Sequence, residues 1–141
     1  MSSTPPVLCP CCSRKTYQEC CQRYHNGQAP ENALALMRSR YSAYALRLAD
    51  YIVQTTHRAN PRFVKDSEAW AKQILEFAQK TQYEKLEIVS FQDGDPIAYV
   101  TFTAYLKQGD RDLSFTEKST FEKVGDRWMY LDGEYTPAKK M

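Results

Sequence analysis

Five cysteines, Cys9, Cys11, Cys12, Cys20 and Cys21, lie between positions 9 and 21 of a 141-residue chain that has no others. A disulfide scaffold spreads its cysteines to close long loops. Sequence neighbours also bridge poorly, because adjacent Cα atoms lie about 3.8 Å apart where a disulfide prefers roughly 5.5–6 Å. Clustered thiols in so short a segment read as a metal site. Zinc takes four ligands in a tetrahedron, and two close pairs of cysteines fill it. The set chosen is Cys9, Cys11, Cys20 and Cys21. Cys12 competes for a place in the first pair, and His25 is an alternative to Cys21. Four thiolates around a divalent ion leave a charge of −2, which Arg14 and Lys15 are placed to offset. With every coordination seat taken, one zinc ion here is structural rather than catalytic.

A second constellation lies far along the chain. Leu113, Phe115, Glu117, Ser119 and Phe121 share one face of a strand by period two, which sets a carboxylate in an apolar row. Such a group must find a donor or keep its proton. Arg38 and Arg40 lie on apolar stripes of the first long helix, and either can meet Glu117. A pocket of Glu117, an arginine, Tyr41, Tyr44, His57 and Trp128 could bind a small polar molecule or move a proton. The alternative is a buried Arg–Glu pair that only fixes helix to sheet. His57, near the end of a short helix, also suits a capping role. Trp128, Tyr130 and Asp132 alternate on the last strand.

The elements that must position these groups follow from pattern. Pro30 suits a first helical turn and Glu31 its positive end. Leu34, Met37, Tyr41, Ala45 and Leu48 then recur at helical spacing. Asp50 opens a short second helix, and Asn60-Pro61 breaks the chain. Ser67 caps a third helix whose face is Trp70, Ile74, Phe77 and Ala78. After Thr81 the period becomes two. Strands are predicted over Lys85–Phe91, Ile97–Lys107, Asp112–Val124 and Arg127–Asp132, with turns at Asp93-Gly94-Asp95-Pro96, Gly109-Asp110 and Gly125-Asp126. Three helices followed by an antiparallel meander make an α+β domain.

The run Cys9-Pro-Cys-Cys-Ser-Arg-Lys-Thr-Tyr-Gln-Glu-Cys-Cys21 resembles the SEC-C motif, the zinc-binding tail of the SecA translocase and of other bacterial proteins. The resemblance puts the ligands on Cys9, Cys11, Cys20 and Cys21. Cys12 and Arg14 stand where that motif has glycines, which favour a tight turn. Tyr24-His25, Ala35-Leu-Met-Arg-Ser-Arg-Tyr-Ser-Ala-Tyr44 and Phe121-Glu-Lys-Val-Gly-Asp-Arg-Trp-Met-Tyr-Leu-Asp-Gly133 resemble the YchJ family. That resemblance implies a body like nuclear transport factor 2, a cone of helices against a curved antiparallel sheet, and it brings no reaction with it. The division expected is a zinc knuckle over 1–26 and the α+β body over 27–141.

Composition bounds the function. Hydrophobic residues make up 43% and aromatics 13% of the chain, enough for a core. The longest apolar run, Ala33–Met37, is too short to span a bilayer. Met1-Ser-Ser-Thr-Pro-Pro lacks the basic and apolar regions of an export signal, so the expected compartment is the cytoplasm. Residues 1–66 carry nine Lys/Arg against four Asp/Glu, and residues 67–141 ten against thirteen. The net charge of +2 argues against nucleic acid as the partner. SEC-C tails elsewhere act in partner recognition. The leading expectation is therefore a zinc-binding adaptor with a protein partner. The rival is a small-molecule-binding protein, or an isomerase- or dehydratase-like enzyme, using a Glu/Arg pocket in the cone. The residues leave open whether the chain is an enzyme.

Overall fold

The computed structural model describes residues 7–137. A small loop comes first: Leu8 bridges Thr16, the Cys9 N–H donates to the Lys15 carbonyl at 2.9 Å, and α1 follows over Gln22–His25. Cys12 (φ 65°) and Arg14 (φ 71°) turn this loop in the left-handed region. These are the two positions where the SEC-C pattern has glycine, so the turn is kept and its strain is carried by residues with a Cβ.

Helix α2 spans Ala33–Ala45. Its cap is Asn32, whose side chain accepts from the Ala35 N–H at 2.8 Å, two residues later than Pro30 suggests. It ends in a Schellman arrangement, with the Leu48 N–H on the Ala43 carbonyl, the Arg47 N–H on the Tyr44 carbonyl, and Arg47 at φ 63°. Helix α3 spans Ala49–Gln54, and α4 spans Ser67–Lys80. Asp66 rather than Ser67 caps α4, by accepting from the Ala69 N–H.

The strands are β1 (Gln82–Gln92), β2 (Ile97–Gln108), β3 (Arg111–Asp112), β4 (Phe115–Val124) and β5 (Arg127–Pro137). The sheet runs β1-β2-β4-β5, antiparallel throughout, with β3 a two-residue pairing on β2. The predicted third strand is thus two pieces separated by Leu113-Ser114, where the Ser114 side chain accepts the Leu106 N–H that a ladder partner would have taken. The last strand runs five residues past its predicted end at Asp132.

The periodic stripe expected on α2 is only part of its buried surface: Met37 and Tyr41 are buried and Leu34 packs on the core, while Leu48 is exposed. Leu36, Ser39, Ser42 and Ala43 are fully buried along with Met37 and Tyr41, because α2 packs against the cysteine loop on one side and the sheet on the other. The four expected ligand cysteines belong to the same core cluster as Leu36, Met37, Val100, Phe102, Phe121 and Trp128. Loop and cone therefore share one interior. Hydrogen bonds reinforce the join: Arg38 Nη1 donates to the Cys11 carbonyl at 2.8 Å, His25 Nε2 to the Ser39 carbonyl at 2.8 Å, and Arg127 Nη2 to the Gly27 carbonyl at 3.0 Å.

Candidate functional site

The first site is the cysteine cluster. The Sγ atoms of Cys9, Cys11, Cys20 and Cys21 all lie within 4.8 Å of one another, and all four residues are buried. Cys11 and Cys20 sulfurs are 3.6 Å apart and those of Cys20 and Cys21 3.9 Å. A tetrahedral ion with metal–sulfur bonds of about 2.3 Å places its sulfurs about 3.8 Å apart. The donor set therefore fits a metal ion. Ser42, on α2, puts its hydroxyl 3.3 Å from both the Cys9 and the Cys21 sulfur, and Ser13 puts its own 3.2 Å from Cys20. These hydroxyls can donate to thiolates and orient them.

Acid–base chemistry points the same way. Hydrogen bonds from Cys21 and then Cys9 push the Cys11 thiol far down. The same contacts, with burial, push Cys21 far up, and burial raises Cys20. Sulfurs this close cannot all carry charge unaided, and a divalent cation removes that conflict.

The alternatives to this set lie elsewhere. Cys12 is exposed, 3.6 Å from the Pro10 carbonyl, with its sulfur accepting the Leu86 N–H at 3.4 Å. His25 has both ring nitrogens engaged: Nε2 donates to Ser39, so Nδ1 accepts from the Tyr17 hydroxyl at 2.6 Å. Burial lowers its pKa below 6.5 and keeps it neutral.

The second site is a cavity of about 610 Å³ between α2, α4 and the concave face of the sheet. Glu117 lines it, 4% exposed. The hydroxyls of Ser119 and Tyr130 both donate to its Oε2, the latter at 2.8 Å. Burial, followed by the charge of Glu117, raises the Tyr130 pKa well above the usual phenol value, so Tyr130 stays a donor. Tyr44 and Tyr135 are raised in the same sense, again with burial first and with Glu117 contributing.

The expected arginine pairing is not formed. Arg38 faces the cysteine loop and does not line the cavity. Arg40 does line it, but its Nη1 donates to Thr55 Oγ1 (2.8 Å), Thr56 Oγ1 (3.1 Å) and the Ile52 carbonyl (3.2 Å). Its guanidinium lies 4.6 Å from the Tyr130 ring centroid, so it reaches Glu117 only through that tyrosine. Among the described residues no ion pair includes Glu117.

Tyr41 and Tyr44 line the cavity as expected, whereas His57 and Trp128 do not. His57 accepts the Ala59 N–H on Nδ1, so Nε2 carries the proton and donates to Glu122 at 2.7 Å, outside the cone. Trp128 is core, because β5 enters the sheet there opposite Lys123.

Sequence reasoning missed Arg62, Trp70, Tyr130 and Tyr135 as lining residues, and Gly133 behind them. For Gly133 and Tyr135 the cause is a bulge, while Arg62 and Trp70 reach the cavity from a loop and from α4. The ladder slips between Thr120 and Phe121, so Phe121 pairs with Tyr130 but Thr120 with Asp132. The alternation Trp128, Tyr130, Asp132 is broken after Tyr130. Gly133 and Tyr135 then pair with Ser119 and Glu117 and take the concave row. A Cβ on Gly133 would fall on the Glu117 carboxylate and 2.7 Å from the Tyr130 hydroxyl, so this close approach needs glycine.

Comparison with known proteins identifies both parts. The family described as "YchJ, middle NTF2-like domain" matches residues 32–133, and the SEC-C motif matches residues 7–23. A UPF0225 protein of Bordetella parapertussis is 37% identical over 134 residues, covering 92% of this chain and 93% of its own. One from Streptomyces avermitilis is 35% identical over 140 residues, covering 95% and 89%. Among solved structures, a SEC-C motif containing protein from Psychrobacter arcticus superposes with a TM-score of 0.75 at 32% identity, over 94% of this chain and 82% of that one. Another from Rhodopseudomonas palustris gives 0.75 at 28%, over 92% and 98%. Since the matches run through both the cysteine loop and the cone, the chain belongs to the YchJ family and joins a SEC-C motif to an NTF2-like domain.

Proposed function

We propose that this protein binds a small molecule in its cone, with Glu117 as the polar anchor, and that a zinc ion on Cys9, Cys11, Cys20 and Cys21 holds the cone's outer wall in place. The observation that carries the reading is the cavity itself. It has about 610 Å³ of space, rings on most of its wall, and one buried carboxylate held by two hydroxyls and by no cation. Cavities of this size and lining are what small ligands use. A sealed Arg–Glu pair would have argued for a purely structural role, and that pair is not made.

Zinc is supported by the thiol-only donor set and the sulfur spacing. Bound there it supplies cross-linking rather than chemistry, because four sulfurs leave no seat for water. A thermal-shift screen against metabolites tests the cavity. A ligand that raises the melting temperature of the native chain should lose its effect on Glu117→Gln. Absence of any stabilising ligand would count against the reading. Native mass spectrometry tests the ion: one zinc per chain, kept in Cys12→Ser and lost in Cys9→Ser or Cys20→Ser.

The adaptor reading has separate support in the loop's rim. Val7 and Leu8 are 75% and 63% exposed, close in sequence to Arg14 and Lys15. Exposed apolar side chains with basic residues nearby in sequence suit a protein partner. A partner that engages the loop should be lost on Leu8→Asp while zinc content is unchanged.

A further inference from the structure

The charges of the cavity wall narrow what it can take, an argument that rests on the small-molecule reading above. Glu117 accepts the Ser119 and Tyr130 hydroxyls on Oε2 and has the Tyr135 hydroxyl nearby, while a carboxylate has room for about four donors, so acceptor capacity remains. The positive groups are disposed otherwise. Arg40 is turned to Thr55, Thr56 and a carbonyl and lies over Tyr130. Arg62 is exposed, 5.3 Å from the ring centroid of Tyr135.

An anion entering the cone would run onto the buried carboxylate, while Arg40 is turned to Thr55, Thr56 and the Ile52 carbonyl and Arg62 is exposed. An organic cation would find guanidinium groups already over Tyr130 and Tyr135, and like charges at that range repel. A neutral ring meets neither obstacle. The aromatic walls take its faces, and Glu117 takes one hydrogen-bond donor, which would otherwise be missed in a water-poor site. We propose that the cavity selects an uncharged cyclic molecule carrying an N–H or O–H donor, which it presents to Glu117.

Four probes of nearly one shape test this on the full-length zinc-loaded chain: indole, 1-methylindole, indole-3-acetate and tryptamine. They are titrated by amide NMR, with the Glu117 and Tyr130 resonances as reporters. Indole should bind at least tenfold more tightly than each of the other three. In Glu117→Gln its affinity should fall to that of 1-methylindole, whose own binding is unchanged and so shows that the variant is folded. Equal binding of indole and 1-methylindole, or tighter binding of either charged analogue, would overturn the inference while leaving the cavity reading standing. If none of the four perturbs those resonances at millimolar concentration, the cavity reading falls and takes the inference with it. The comparison among probes on the native chain decides the matter even if the variant does not fold.

Discussion

At the scale of single residues, two features carry measurable consequences. Arg14 holds φ at 71° with its side chain in solvent. A residue with a Cβ in that region costs about 1 kcal/mol relative to glycine. Arg14→Gly is expected to raise stability by about that amount in denaturant titration, unless the lost cation matters to the thiolates, which zinc affinity would report. His25 behaves in the opposite sense to a surface histidine. Its nitrogens are committed to Tyr17 and Ser39, the Tyr51 ring stands edge-on with centroids 4.8 Å apart, and burial holds its pKa below 6.5. The unfolded chain therefore binds a proton there before the folded one does. This contribution is complete above pH 6.5 and is lost as pH falls through 6.5 toward the lowered folded value. Between pH 7.5 and 5.5 the native protein should lose more stability than His25→Gln, and parallel curves would refute the assignment.

At the scale of elements, position and type were legible where one face is wet and one dry. The α4 periodicity of Trp70, Ile74 and Ala78 is of this kind, and β2, buried on one face and half-buried on the other, still alternates; both elements stand within a residue or so of expectation. The stripe on α2 located Met37 and Tyr41 but understated the burial, because both faces are covered and the small polar residues Ser39 and Ser42 face thiols and carbonyls rather than water. Arg38 and Arg40 looked equivalent by spacing, but only the sequence-distant cysteine loop decides which turns outward. The bulge in β5 left no signal in composition, so Tyr135 could not be assigned to a face. The four clustered cysteines and Glu117 were readable because their chemistry is conspicuous against its surroundings. The β4–β5 pairing yields its own prediction. Gly133→Ala should cost about 1–3 kcal/mol by overpacking and should displace Glu117 and Tyr130, visible as weakened ligand-induced stabilisation. An unchanged melting temperature would mean the strands separate more easily than the ladder implies.

At the scale of the whole molecule, the cysteine loop and the cone share one core, so they are expected to unfold together. Cys9, Cys11, Cys20 and Cys21 pack in the same cluster as Phe102, Phe121 and Trp128. Removing the ion should therefore lower a single unfolding transition, read identically by far-ultraviolet dichroism and by the fluorescence of Trp128 in a Trp70→Phe background, rather than create a separate early one. Two resolved transitions would show that the loop melts by itself.

The shared interior also orders events at the ribosome. Residues 9–21 leave the exit tunnel well before Leu36, Val100 and Phe121, which share their core, and before Arg127, which ties down Gly27. Through most of its own translation the nascent chain thus offers bare sulfurs to whatever oxidant or competing ion is near, and only completion of the last strand closes that window.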